Sequence, residues 1–181
     1  VSTILTQVTV DPYDEAFYEP TKLIGRNMSA EDAEIEVKKG NYVKEEPGKG
    51  FRRIIAAPKP IDIVEIEAIR TLADAGQIVI ACGGGGIPVT RQGNHLKGAS
   101  AVIDKDFASC LLAQELDADF LIILTAVEKV AINFGKPNEQ WLEDLTVEEA
   151  KKYMEEGHFA PGSMLPKVQA AVDFASSKEG R

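Results

Sequence analysis

The stretch IVIACGGGG, residues 78–86, decides the predicted fold. Its first five residues form an apolar run that is typical of a buried strand. The glycines follow at the carboxyl end of that strand, where open α/β sheets bind their ligands, and a glycine lets backbone approach a ligand closely because it has no Cβ. Eighteen residues further on comes Asp104-Lys105-Asp106. Two carboxylates beside a cation suit a phosphoryl group and its metal ion.

The composition favours one ordinary domain, with or without a small insert. The chain has 181 residues, is 44% hydrophobic and carries a net charge of −9, which argues against a nucleic-acid partner. Cys82 and Cys110 lie in apolar runs, so we expect reduced core thiols rather than a disulfide framework. The sequence shows neither a signal peptide nor an apolar run long enough to span a bilayer, which predicts a cytoplasmic enzyme without a membrane partner.

Strand and helix patterns alternate along the chain. Strands are predicted over residues 1–10, 51–57, 78–82 and 120–124. Helices are predicted over residues 30–39, 106–116, 146–156 and 167–177, with a further helix that follows Pro60 and ends at Gly76. This alternation predicts an α/β fold, a three-layer αβα sandwich with a mainly parallel sheet covered on both faces.

Local signals set several of the predicted boundaries. Ser29 is a predicted N-cap, and capping boxes are predicted for Asp62 with Glu65 and for Thr146 with Glu149. Gly93-Asn94 lies in a hairpin pattern over residues 89–97.

Residues 11–50 differ from the rest because they are polar and charged, with scattered proline and glycine. We expect a small lobe that protrudes from a body made of residues 1–10 and 51–181. The alternative is a long surface loop, although loops of that length usually serve a function.

Four segments are candidates for chemistry. The four glycines match neither a P-loop nor the dinucleotide pattern, so they form either a bend or a ligand-facing backbone. Asp106 can orient lysines at a helix start, and Lys105 can neutralise a transferring phosphoryl group, unless the triplet is only an N-cap with a solvated neighbour. Lys167 lies near a helix start, where a bound anion would offset its unfavourable position. The segment 133–137 is either a nucleotide lid or a turn.

The two histidines give no support for a zinc site. His95 and His158 have no Cys or His at ligand spacing, and we expect both to be structural or solvated.

An ordered set of segments resembles the carbamate kinase family, within the amino-acid kinase superfamily. The matching stretches are residues 20–25, 51–53 with 58–60, 80–88, 102–109, 124–130 and 157–167. The resemblance implies a reversible phosphoryl transfer between carbamoyl phosphate and ADP that gives ATP and carbamate, with Mg²⁺ on the nucleotide. It also implies a cytoplasmic homodimer of arginine metabolism.

The resemblance also assigns roles to residues. Lys105, Asp106 and Lys167 would be catalytic, with Asp106 organising the lysines. Substrate would contact Lys22, from the protruding lobe, and Gly83, Gly84 and Gly85. The nucleotide would lie against Thr125, Ala131, Phe134, Lys136 and Met164.

The chain departs from the family at its two ends. It begins at Val1, without a methionine, and family members have segments before the equivalent of Val1 and after that of Arg181. We therefore expect a fragment that binds nucleotide weakly and does not turn over by itself. The alternatives are a sister kinase acting on acetylglutamate, aspartate or a nucleoside monophosphate, and a nucleotide-binding protein of the same fold without catalysis.

Overall fold

Strands and helices alternate in the computed structural model, which describes residues 1–179. Gly180 and Arg181, where the sequence predicts a truncated end, lie outside the described residues. The strands are β1 (Ser2–Thr3), β2 (Gln7–Thr9), β3 (Lys22–Met28), β4 (Tyr42–Glu46), β5 (Gly50–Ile55), β6 (Asp62–Ile63), β7 (Val79–Ile80), β8 (Ile87–Gln92), β9 (His95–Gly98), β10 (Val130–Ile132) and β11 (Gln140–Leu142). The helices are α1 (Ala30–Lys38), α2 (Ile66–Asp74), α3 (Lys105–Glu115), α4 (Val147–Glu155) and α5 (Met164–Ser176).

The first predicted strand is divided between two sheets. β1 pairs in parallel with β7, whereas β2 lies between β6 and β8 in a sheet of order β6-β2-β8-β9. Thr6 makes the crossing, because its hydroxyl accepts from the Cys82 N–H at 2.8 Å and its carbonyl accepts from the Ile87 N–H at 2.8 Å. The prediction of one continuous strand over residues 1–10 is therefore wrong, since a side chain at Thr6 takes the place of a ladder bond.

The core lies between these strands and the helices that cover them. Val8 and Ile63 from the sheet pack with Ile69 of α2 and Ala108 of α3 in one buried cluster. A second cluster joins α3 to α5, with Cys110 packed against Ala170 and Phe174. Cys82 and Cys110 are buried and free, as expected.

The predicted capping box at the start of α2 is wrong. Asp62 lies in β6, where it pairs opposite Thr9 and contacts Arg91 at 2.6 Å. Glu65 accepts instead from the Gln7 N–H at 2.7 Å, and α2 begins after it without a side-chain cap. Ile63 is fully buried opposite Val8, and burial of its apolar side chain keeps this segment in the sheet.

Residues 22–55 form a separate antiparallel sheet of order β3-β5-β4, with α1 against β4 and β5. Ser29 caps α1 as predicted, accepting from the Asp32 N–H at 3.2 Å. Pairing places β5 in this sheet, whereas the sequence assigns residues from 51 onward to the body. The division into a body and a lobe at residue 50 stays a prediction.

Residues 120–124 do not form the predicted strand. Phe120, Ile122 and Leu124 are 82%, 80% and 88% exposed, while Leu121 and Ile123 pack toward α3 and α5. The alternation is that of a strand, but no backbone hydrogen bond joins this segment to another among the described residues. A strand needs a neighbour for its ladder. The predicted buried strand over residues 78–82 is reduced to β7, which pairs with β1, and Ile78 and Ile80 are exposed rather than buried.

The remaining boundaries follow local signals closely. Thr146 and Glu149 form the predicted capping box. β8 and β9 form the predicted hairpin, with Gln92 opposite His95. α5 begins at Met164 rather than at Lys167, so Lys167 lies inside its first turn.

Candidate functional site

The start of α3 gathers two carboxylates. Asp104 is the N-cap, and its Oδ1 accepts from the Asp106 N–H at 3.0 Å. Both side chains are buried, whereas Lys105 between them is exposed. Carboxylates are stabilised here because the amino end of a helix carries partial positive charge. Asp104 and Lys105 are thus the N-cap and solvated neighbour of the structural alternative, and Asp106 is a second, buried acid beside them.

Asp106 binds a lysine from a distant helix. Lys167 Nζ lies 3.0 Å and 3.1 Å from its two carboxylate oxygens, and the Lys167 side chain is only 18% exposed. The contact joins the first turns of α3 and α5. A carboxylate that holds an ammonium in place leaves its remaining protons free for an anionic group.

Asp104 binds a second lysine, from the start of β3. Lys22 Nζ lies 2.5 Å from Asp104 Oδ2. Burial acts to raise the pKa of Asp104, but the hydrogen bonds from Lys22 and from the Asp106 N–H, with the charges of Lys22 and Lys105, outweigh it and bring the pKa below its usual value. Asp104 is therefore ionised at neutral pH.

The glycine loop lies directly beside this cap. A Cβ added at Gly85, whose φ is +137°, would lie 2.1 Å from the carbonyl oxygen of Ile103, the residue before Asp104. Gly85 is thus required for close packing of loop against α3. A Cβ at Gly83 or Gly84 would meet nothing within 4 Å. Those two glycines face open space, which is consistent with a ligand-facing backbone.

A cavity of about 270 Å³ lies on the other side of Lys167. Four of the five predicted nucleotide residues line it, namely Thr125, Ala131, Phe134 and Met164. Lys136 is exposed and is not among its lining residues. Phe134 stands edge-on to Trp141 at 5.9 Å between ring centroids, which fixes one wall. An apolar cleft whose lining includes the lysines Lys129 and Lys167 suits a flat ring joined to a phosphate chain.

Sequence reasoning missed part of this cavity. Phe159, which is buried, and Lys129 and His158 also line it. His158 was expected to be structural or solvated, and it packs edge-on against Tyr153 while it also faces the cavity. Phe159, Lys129 and His158 lie in loops without a repeating sequence pattern. The only sequence feature that marked any of them is the position of His158 directly after a predicted helix end.

The amino end of α5 opens onto the same cavity. Ser163, the residue before the helix, lines the cavity and makes no side-chain cap hydrogen bond. Free N–H groups at such an end attract phosphate and other anions. The backbone N–H groups at the start of α5 carry a partial positive charge, and Lys167 on the same turn adds a full one.

A larger apolar cavity of about 380 Å³ adjoins the first and shares Thr125, Met164 and Lys167 with it. It lies between α4, α5 and the segment 121–125. Its walls are the packing faces of those elements, and among residues 1–179 Lys167 is its only charged lining residue.

Among residues 1–179 no group of three His, Cys, Asp or Glu side chains is arranged to hold a metal ion. The carboxylates nearest the site, Asp104 and Asp106, are each occupied by a lysine. None of the described helices is long and apolar enough to cross a membrane.

Comparison with known proteins identifies relatives of this arrangement. The model of the amino acid kinase family matches residues 21–180. A carbamate kinase-like protein of Escherichia coli K12 is 61% identical over 181 residues, covering 100% of this chain and 58% of the relative. Carbamate kinase of Clostridium perfringens is 57% identical, covering 98% of this chain and 57% of the enzyme.

Solved structures give the same result. Carbamate kinase from Giardia lamblia bound to AMP-PNP superposes with a TM-score of 0.85 at 43% identity, covering 97% of this chain and 56% of that chain. A protein from Aeropyrum pernix K1 superposes with a TM-score of 0.90 at 43% identity, covering 98% and 58%. The chain thus spans a little over half the length of the relatives it matches.

Proposed function

The chain belongs to the amino acid kinase family, and on that premise we propose that it carries the nucleotide-binding half of the active site of a carbamate kinase. The reaction moves a phosphoryl group between carbamoyl phosphate and ADP. The bond from phosphorus to the carbamoyl oxygen breaks, a bond to the terminal oxygen of ADP forms, and ATP and carbamate result. The predicted α/β class and amino acid kinase fold are confirmed by the family match and the structural neighbours.

One observation carries the proposal. Lys167 lines the cavity that suits a nucleotide, and its ammonium is fixed by Asp106 at the start of α3. It therefore lies where a nucleotide in that cavity would direct its phosphates. A solved relative that binds AMP-PNP supports a nucleotide as the ligand.

Each remaining residue has a role in this proposal. Lys105 and Lys167 would neutralise charge on the transferring group, and Asp106 would orient Lys167, since phosphoryl transfer is catalysed mainly by positioning and electrostatics. Lys22 and the backbone of Gly83, Gly84 and Gly85 would contact the substrate phosphate.

The nucleoside would lie against the five predicted cofactor residues. Thr125, Ala131, Phe134 and Met164 would contact it in the cavity, and Lys136 would contact it from outside.

Magnesium enters the proposal with the nucleotide. The described residues offer no three-ligand group of their own, so Mg²⁺ would be held chiefly by phosphate oxygens and water, which is its common mode in kinases. Bound there, it would neutralise phosphate charge.

The finer parts of the proposal rest on the resemblance. We expect a cytoplasmic homodimer with a role in arginine metabolism. Its partners would be the small molecules carbamate and carbamoyl phosphate, without nucleic acid or membrane. A lobe of residues 11–50 would lie over a body of residues 1–10 and 51–181.

A graft tests the function directly. The 181 residues would replace the aligned stretch of the Clostridium perfringens enzyme, which is 57% identical. ATP formation from ADP would be measured with carbamoyl phosphate and, in parallel, with acetyl phosphate. We expect turnover with carbamoyl phosphate. Faster turnover with acetyl phosphate would indicate a sister kinase, and AMP-PNP binding without turnover would indicate a binding protein.

A further inference from the structure

Two neighbouring carboxylates at the start of α3 each hold a different lysine. Asp106 holds Lys167 from α5, inside the body. Asp104 holds Lys22 from β3, the first strand of the three-stranded sheet formed by residues 22–55. Asp104 and Asp106 are two residues apart in sequence, at the start of α3. Lys22 therefore reaches the same end of α3 as Lys167, the lysine that lines the nucleotide cavity.

Asp104 is fixed at both of its oxygens. Oδ1 accepts from the Asp106 N–H at 3.0 Å, and Oδ2 accepts from Lys22 at 2.5 Å. The helix cap therefore sets the direction in which Oδ2 points. A carboxylate free to rotate would hold an ammonium less accurately.

The Lys22–Asp104 contact also bridges two parts of the molecule. Among the side-chain hydrogen bonds and ion pairs recorded within residues 1–179, it alone joins residues 22–55 to the rest of the chain. Backbone joins them nearby, where Ala56 bridges Ala101 and accepts from the Val102 N–H at 2.9 Å. Beyond the chain connections at its two ends and the packing beside Phe17, the sheet of residues 22–55 is thus held by one backbone junction and one ion pair.

The pair is accessible enough to open. The Lys22 side chain is 31% exposed, whereas the Asp104 side chain is 10% exposed. An ion pair with one solvated partner is weak and is screened by salt. Lys22 can therefore leave Asp104 for another anion without stranding a buried ammonium.

We propose that Asp104 is a positioning residue that holds Lys22, and with it the sheet of residues 22–55, in the arrangement seen in the structure, here called closed, before substrate arrives. The inference rests on the proposed function, because the position matters for Lys22 as a ligand of the anionic phosphoryl group. Asp104 itself need not touch substrate. Its effect is to keep the Lys22 ammonium at the start of α3, beside the glycine loop.

A distance measurement tests this without any activity. Spin labels would be placed on Lys38→Cys in α1 and Lys151→Cys in α4, both exposed, on the 181-residue chain. The native Cys82 and Cys110 are buried, so labelling is selective. Pulsed electron resonance would then give the distribution of distances between the sheet of residues 22–55 and the body.

Asp104→Asn is the main variant, because Asn keeps the helix cap and removes the charge. We expect the ratio of closed to open populations to fall about twofold to fivefold, the range for a partly exposed ion pair. Lys22→Met should give the same change without touching the cap. The double variant should open no further, and 1 M salt should open the native chain but neither variant.

Asp62→Asn is the matched control. It removes an ion pair of similar length, Arg91 to Asp62 at 2.6 Å, that joins two strands of the body. Equal opening by this control, an unchanged distribution in both Asp104→Asn and Lys22→Met, or opening by Asp104→Asn alone would each overturn the proposal. A graft without ATP formation but with labels that open as expected would overturn the proposed function and leave the positioning role intact.

Discussion

Lys167 and Asp106 lie 61 residues apart in sequence, and the lysine ammonium contacts both oxygens of the carboxylate, at 3.0 Å and 3.1 Å. The contact fixes the first turn of α5 against that of α3 and holds the Lys167 ammonium in the wall of an apolar cavity. A phosphate chain entering that cavity would meet the ammonium already oriented. Electrostatic stabilisation of this kind needs no rearrangement during the reaction.

Asp106→Asn in the active graft is expected to lower kcat by about 10²- to 10³-fold, the loss typical of removing one well-placed polar stabiliser. The amide cannot hold Lys167 by charge, and positioning is needed mainly in the transition state. ADP affinity, measured by calorimetry, should change little. Asp62→Asn, which breaks an exposed ion pair, is the control. A rise in KM at native kcat would contradict the assigned role.

Lys22→Ala should reduce the rate with carbamoyl phosphate and leave ADP affinity largely unchanged, because Lys22 approaches the site from the side of the lobe and not from the nucleotide cavity. Steady-state kinetics in both substrates would separate the two effects. Lys44→Ala, an exposed lysine on β4 of the same sheet, should have neither effect. Similar losses toward both substrates would mean that Lys22 is only structural.

The glycine loop allows a test that separates folding from binding. Gly85→Ala should destabilise the chain by at least about 2 kcal/mol, because its φ is left-handed and the added Cβ would lie 2.1 Å from the Ile103 carbonyl oxygen. Gly84→Ala adds a Cβ into open space and should leave thermal unfolding unchanged. If Gly84 faces the phosphoryl group, the same variant lowers kcat/KM in the graft. Equal unfolding temperatures for the two variants would contradict the packing argument.

The two thiols should be unreactive in the folded chain. Burial raises the pKa of Cys82 and of Cys110 to about 11, so the thiolate at pH 8 is roughly two hundredfold rarer than at the ordinary pKa near 8.5. Reaction with a disulfide reagent should be slow until guanidinium unfolds the chain. Rapid reaction in native buffer would show that the thiols are not buried.

The same shift gives a pH dependence with a defined sign. The unfolded thiols lose their protons near pH 8.5 and the folded thiols near pH 11, so the unfolded state binds fewer protons in between. The contribution of the protonated thiols to the free energy of unfolding should therefore be complete below about pH 8.5 and should be lost as the pH rises toward 11. Cys82→Ala with Cys110→Ala should flatten this part of the denaturant-measured profile.

Local signals predicted elements where no distant partner competed. Thr146 with Glu149 and Asp62 with Glu65 are the same sequence pattern, yet only the first became a capping box. Ile63 decides the difference, because its burial against Val8 pulls Asp62 into β6. A tertiary contact outweighs a cap worth about 1 kcal/mol.

The site was predictable in its residue types and not in its pairings. Asp104, Lys105 and Asp106 stand together in sequence, so a charged helix start was evident. Spacing alone gives no reason for Lys22 to contact Asp104 or for Lys167 to contact Asp106, since 82 and 61 residues separate them. Those pairings depend on how the elements pack.

The exposed face of residues 120–124 gives the last prediction. Phe120, Ile122 and Leu124 point away from the core, and an exposed apolar segment whose backbone has no ladder partner tends to associate with other chains. The 181-residue chain should therefore self-associate as its concentration rises, and Ile122→Lys should lower the mass measured by light scattering. Val37→Lys, at an exposed apolar residue of α1, should leave association unchanged. If both variants associate like the native chain, contact is made through another surface; if Val37→Lys alone disperses it, α1 carries the contact.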